Sequence, residues 1–214
     1  MIALYGHPFA AFTWKALIAA YARGVPFDFR VVDPAHPDHQ ARIAELSPTG
    51  QFPALVEGAV EITGSNSVIG WLDRTGAAAP MIPRDPDGAI RARMLADVFD
   101  DYVAVPMQRI VAEHFRGENE ADPRGVANAR AILDRSYRWL EDRIGGGWAA
   151  GGDFSIADCA AAPALFYADW VHAIPGERLR AYRARLLAHP AVARVVDEAR
   201  PFRSFFPPGA PDRD

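Results

Sequence analysis

Cysteine is almost missing: Cys159 is the only one in 214 residues. That excludes an internal disulfide, a cysteine metal cluster and a CxxC redox pair, so any thiol chemistry must use a thiol brought from outside. Lysine is as scarce, with Lys15 alone among 23 basic residues. No run of about 18 apolar residues occurs. The opening "MIALYGHPF" lacks the basic flank, long apolar run and cleavage site of a signal peptide, and a cytoplasmic protein is expected. A strong charge of either sign is lacking too. The net charge of −4 comes from interspersed acidic and basic residues, which argues against a nucleic-acid surface or a polybasic membrane anchor. Small, uncharged or amphipathic partners fit better.

What is present is a well-stocked core, half of all residues being apolar. The first third alternates strand and helix signals. Ile2 to Tyr5 reads as a strand, and Trp14, Leu17, Ile18 and Tyr21 mark one buried face of a helix that ends at Gly24 before Pro26. "FDFRVV" is a second strand, "DHQARIAEL" a short helix, and "PALVEGAVEIT" a hairpin turning at Glu57-Gly58. Ser65 is the expected N-cap of a helix burying Val68, Ile69, Trp71 and Leu72. The order is β-α-β-α-β-β-α over residues 1–76.

A proline-rich linker, 77–86, follows, and residues 87–214 read as helix throughout. The first helix, about 87 to 116, carries Ile90, Met94, Val98 and Tyr102 on one stripe and should kink at Pro106. A second covers about 123 to 144. A third opens at "DFSIADCAAAP", where Ser155 and Asp158 form a capping box and Phe154 and Cys159 take the staple positions. Cys159 is thereby a packing residue. Two shorter helices are expected near 176–187 and 190–199, then an irregular tail.

A β-α-β-α-β-β-α unit followed by an all-helical domain resembles the cytosolic glutathione transferase superfamily, from Met1 to about Phe206. The resemblance implies an α/β thioredoxin-like N-terminal domain, an all-α C-terminal bundle and a homodimer. "SPTGQFPAL" is similar to the family segment leading into a cis-proline, here Pro53, beside which the backbone of Phe52 would pair with extended glutathione. "ITGSNSVIGWL" resembles the segment holding the γ-glutamyl carboxylate, which implies roles for Ser65 and its neighbours Gly64 and Asn66. The family usually has an acidic residue or glutamine where this chain has Gly64, and Asp100 or Asp101 is the candidate replacement, in the same chain or across a dimer interface. "FSIADCAAAP" is similar to the capping box of the second domain. For the glycine carboxylate, the resemblance points to His39, Gln40 and Gln51.

The implied activity is addition of the glutathione thiol to a hydrophobic electrophile, as in detoxification, with glutathione as co-substrate and no metal. A hydroxyl in the loop after the first strand is expected to donate to the sulfur, yet residues 10 to 12 are Ala10, Ala11 and Phe12. Three readings stay open: Thr13 donates its hydroxyl, the bare helix terminus stabilises the thiolate, or the chain binds without conjugating. The electrophile pocket is expected among Phe9, Phe12, Tyr102, Pro106, Met107, Ile110 and Trp170. A non-catalytic glutathione- or ligand-binding protein, an interaction protein of this fold, and a glutathione-dependent isomerase or dehalogenase are the alternatives. His7 reads as a hydrogen-bonded loop residue. His36 and His39 lack the further ligands a metal site needs.

Overall fold

The structure, a computed structural model, describes residues 1–214 apart from the side chain of Glu118. Four strands form one sheet in the order β2-β1-β3-β4: β1 (Ile2–Gly6), β2 (Phe27–Val31), β3 (Ala54–Glu57) and β4 (Val60–Thr63). β1 runs parallel to β2 and antiparallel to β3, so Leu4 lies opposite both Phe29 and Leu55. α1 (Ala11–Arg23) and α3 (Ser65–Leu72) pack together, and α2 (Pro37–Leu46) sends Ile43 into a separate cluster with Val32 and Ala54. Gly24 caps α1 in the left-handed conformation, as its place before Pro26 leads one to expect.

The helical part begins at α4 (Pro86–Phe99), capped by Asp85, whose side chain accepts from the Gly88 N–H. One kinked helix to residue 116 was expected here. Instead the chain widens into a π-helical turn, Asp100–Ala104, continues as α5 (Val105–Ala112) and tightens into a 3₁₀ turn, Glu113–Phe115. Pro106 explains the widening. It offers no N–H, and its ring crowds the carbonyl four residues back, so the irregularity falls before the proline.

α6 (Pro123–Glu141), α7 (Ile156–Val171), α8 (Glu177–Ala188) and α9 (Pro190–Ala199) follow. α7 is the central rod, with Ala157, Ala160, Ala161 and Ala164 all buried, and it packs against both α1 and α4. Small side chains on α7 meet small ones on α4: Ala89, Ala92 and Ala96 face inward, with Leu95 and Phe99. The larger stripe of Ile90, Met94 and Tyr102 is consequently turned to solvent. The capping box forms as read, Ser155 and Asp158 each filling the backbone group the other end leaves open. Cys159 is fully buried, and burial pushes its thiol far up in pKa.

The tail after the 3₁₀ segment Arg200–Phe205 is irregular but pinned. Asp214 binds Arg200 at 2.6 Å, and Arg213 binds Asp169 at 2.5 Å. No helix among the described residues is long and apolar enough to cross a membrane.

Candidate functional site

Three clefts meet at Phe52, which lines all of them. Phe52 is joined to Pro53 by a cis peptide bond, as the resemblance implies, and its own N–H and C=O have no partner among the described residues. An extended peptide would find both groups free.

The first cleft, about 340 Å³, is polar and includes Gln51, Thr63, Ser65, Asn66 and Asp100. Ser65 is not the cap of α3 but its first residue. Gly64 occupies the cap position at φ 87°, ψ 131° and contributes no side-chain bond. A positive φ of this kind favours glycine. The first amides of α3, from Ser65 to Ser67, carry no partner among the described residues, so the helix start is open to an anion.

Beneath it lies a buried cluster drawn from three elements. The lone lysine, Lys15 of α1, is 1% exposed and pairs with Asp100 of the π-helical turn. Its ammonium also donates to Asn66 Oδ1 at 2.8 Å, and Asn66 Nδ2 lies 3.5 Å from Asp100 Oδ2. All three bonds use Lys15, Asn66 and one oxygen of Asp100. The other, Oδ1, is buried with no partner. Burial raises the Asp100 carboxyl above the usual carboxylate range, against the pull of Lys15. A buried acceptor of this kind is costly unless something donates to it.

The second cleft, about 590 Å³, opens at the start of α1 and is largely apolar. Phe9, Phe12 and Met107 line it as expected. The four other expected residues do not. Tyr102 is 55% exposed on the far face beside Trp139, because the alanine face of α4 took the interior. Ile110 and Pro106 are buried in the helical core. Trp170 packs behind the wall, against Phe9 and Phe206. The wall is completed by residues the sequence did not assign to it: Val111 of α5, Phe115 of the 3₁₀ turn after it, Tyr167 of α7, and Phe205 and Phe206 near the chain end. Only the aromatic content of the tail hinted at this.

Thr13 lies outside all three clefts. It is completely buried, its Oγ1 has no hydrogen-bond partner, and its side chain presses on Gly6, where an added Cβ would come within 2.5 Å of Thr13 Cγ2. A helix places residue 13 on the sheet side when residues 11 and 12 begin at the cleft rim. What faces the cleft is backbone. Ala10 caps α1 with extended geometry and no side-chain bond, and the N–H groups of Ala11, Phe12 and Thr13 have no partner among the described residues. Tyr167 is the one phenol on the wall, and it donates to the Phe9 carbonyl at 3.1 Å. Burial pushes its pKa well up, so it holds the loop and keeps its proton.

The third cavity, about 850 Å³, lies under the tail and is lined by His7, Asp33, Gln40, Ile43, Phe202 and Phe205 among others. His7 accepts the Phe9 N–H on Nδ1 at 3.1 Å, and half-burial lowers its pKa. Gln40 lines this cavity, whereas His39 does not. His39 Nδ1 bonds the Val31 carbonyl at 2.7 Å and its ring stacks on His36, outside the cavity lining.

Comparisons with known proteins agree with this architecture. A probable maleylacetoacetate isomerase of Caenorhabditis elegans is 23% identical over 168 residues, 78% of each chain. A maleylpyruvate isomerase of Ralstonia sp. is 26% identical over 206 residues, 91% of this chain and 92% of the other. Among solved structures, a glutathione S-transferase of Methylobacillus flagellatus with glutathione bound superposes with a TM-score of 0.81 at 21% identity, covering 91% of this chain and 98% of the other. Residues 4–80 match the glutathione S-transferase N-terminal domain and residues 120–198 the C-terminal domain. The chain belongs to the glutathione S-transferase family.

Proposed function

We propose that this protein binds glutathione in the polar cleft and adds its thiol to a hydrophobic electrophile in the second cleft, the S–H proton leaving as the S–C bond forms. The observation that carries the reading is Asp100 Oδ1: a buried, unpartnered carboxylate oxygen beside the open start of α3. That pair of features matches an amino acid head group. The amides of α3 and the Ser65 hydroxyl would take its carboxylate, and Asp100 would take its ammonium. It replaces, from within the same chain, the acidic contact that Gly64 cannot supply.

Glutathione, when bound, supplies a nucleophilic sulfur. The first amides of α1 are what this chain offers it. A helix N-terminus contributes roughly 0.3 to 2 kcal/mol to a neighbouring anion, which lowers a thiol pKa near 8.5 by about 0.2 to 1.5 units. Activation is therefore modest, and Thr13 takes no part in it. Phe9, Phe12, Met107 and Val111 exclude water from the reacting carbon and favour an apolar substrate.

A glutathione-dependent isomerase is the second reading, favoured by the names of the two relatives. It uses the same thiol without consuming it. Against it, no arginine or lysine among the described residues lines the second cleft, so a maleyl dicarboxylate would find no counter-ion there. We also read the protein as a homodimer, because Ile90, Met94, Tyr102 and Val105 form an exposed apolar stripe.

Calorimetric titration with glutathione tests the binding. Ser65→Ala and Asp100→Asn should each weaken it by about 10- to 100-fold, the worth of a hydrogen bond to a charged group. Unchanged affinity in both variants would remove the head-group assignment. Turnover of 1-chloro-2,4-dinitrobenzene against turnover of maleylpyruvate separates transferase from isomerase.

A further inference from the structure

The third cavity has no role in the chemistry above, yet it is the largest of the three and shares Gly50, Phe52 and Phe205 with the second. Its inference rests on the glutathione reading. Glutathione has three arms: a zwitterionic head, a thiol side chain and a glycyl carboxylate. Three clefts radiate from Phe52, where the peptide backbone would pair. With the head at Ser65 and Asp100 and the thiol at the start of α1, the third arm is left with the cavity under the tail.

That cavity is a poor receptor for a carboxylate. No arginine or lysine among the described residues lines it. His7 already accepts the Phe9 N–H on Nδ1 and is held toward its neutral form by burial. His39, the basic residue expected to face a carboxylate, is tied to the Val31 carbonyl. The fixed charge present is negative: Asp33, which accepts from the Ala35 N–H at 2.9 Å and binds His36 at 2.7 Å. The remaining surface is apolar, from Val32, Ile43, Phe202 and Phe205, and at about 850 Å³ it far exceeds one glycyl residue.

We propose that the chain reads the γ-glutamyl head and the thiol of its co-substrate but not a terminal carboxylate, and that its preferred thiol is a γ-glutamylcysteinyl compound with an uncharged, larger end. Phe202 and Phe205 would cover that end, and the Gln40 amide would meet a neutral polar group on it.

The test is calorimetric titration of the whole protein with glutathione and with its ethyl ester on the glycyl carboxylate. The ester should bind about fivefold more tightly, the equivalent of one unit charge removed from about 4 Å of Asp33 in a watery setting. Asp33→Asn should raise affinity for glutathione severalfold and leave that for the ester unchanged. An ester that binds no more tightly than glutathione overturns this proposal and leaves the glutathione reading standing. If neither thiol binds, both fail together.

Discussion

Lys15 and Asp100 form a buried ion pair that ties the first helix of the sheet domain to the π-helical turn of the helical domain. Asn66 of α3 completes the junction. The pair thus positions both the head-group cleft and the contact between domains.

Removing only the lysine leaves a carboxylate inside the protein without its cation. Lys15→Met should lower the unfolding free energy by about 3 to 5 kcal/mol. Lys15→Met/Asp100→Leu should recover most of that loss, since two apolar side chains replace both charges. Urea denaturation at neutral pH measures both, and the single variant should lose less in acid, where the carboxyl protonates. A loss under about 1 kcal/mol for Lys15→Met would show that the pair is solvated in solution.

Gly6 and Thr13 make a second close contact. Gly6→Ala would put a methyl 2.5 Å from Thr13 Cγ2 and 2.6 Å from Oγ1, so it should destabilise by about 1 to 3 kcal/mol. Thr13→Ala should relieve the clash in the double variant. Thr13→Val alone should be neutral or slightly stabilising, because it deletes a buried hydroxyl that has no partner. The same variant is the direct check on thiol activation: the ultraviolet absorbance of bound thiolate against pH should be unmoved.

The contrast between these residues shows what was legible beforehand. The strands, α1, α2, α8, α9 and the Gly24 cap follow local rules of period and backbone conformation and emerge from the sequence within a residue or two, whereas the expected helix 87–116 is broken before Pro106 and α6 stops three residues early, at Glu141. Phe52 and Pro53 were legible through a motif. Tyr102 and Trp170 were not, since both are aromatic residues on amphipathic helices, and which face turns inward depends on what the neighbouring helix offers. Here α7 offers alanine, and α4 answers with Ala92 and Ala96 instead of the bulkier stripe. Ser65 was misplaced by one position because serine at a helix start ordinarily caps it, while Gly64 at φ 87° holds the cap here. The tail had no periodicity to read; Phe205 and Phe206 line the cleft, while Arg213 ties the chain end to Asp169 and Asp214 folds back on Arg200.

The capping box should be worth more than an ordinary helix cap. Asp158 accepts from the Ala149 N–H and the Ser155 N–H, both at 2.9 Å, and from the Tyr182 hydroxyl at 2.6 Å. Ser155→Ala removes one cap, about 1 kcal/mol. Asp158→Ala strands these three donors and the Ser155 hydroxyl, which donates to Asp158 at 3.0 Å, and should cost about 3 kcal/mol or more. Thermal or urea unfolding of the two variants side by side checks the order, and equal losses would reduce Asp158 to a simple cap partner.

His189 gives the protein a weakness in mild acid. Its ring stacks on Phe154 at 4.0 Å, and burial lowers its pKa from the usual 6.5. The unfolded chain then binds more protons than the native one in this range. The stability it contributes is present above about pH 6.5 and is lost as pH falls through the folded value. His7 is lowered for the same reason and adds in the same direction. His189→Phe keeps the stacking and removes the titration. The variant should lose less stability than the parent between about pH 7.5 and pH 5.5, and an identical slope would assign the weakness to other groups.

The exposed stripe on α4 supplies the last prediction. Ile90, Met94 and Tyr102 are 65%, 47% and 55% exposed, and Val105 continues the patch at 49%. Beside them Trp139 of α6 lies under the Arg143 guanidinium, 4.0 Å from the ring centroid, so the patch broadens across two helices. Large apolar side chains gathered on one face, with arginines at the margin, suit burial against a second copy. Met94→Glu/Tyr102→Glu would place two charges in the middle of such an interface and none in either substrate cleft. Sedimentation equilibrium should find the parent at twice the chain mass and the variant at one. A parent that sediments as a monomer at about 100 μM, well above the dissociation constants of stable homodimers, would overturn the dimer reading and leave the three clefts unaffected.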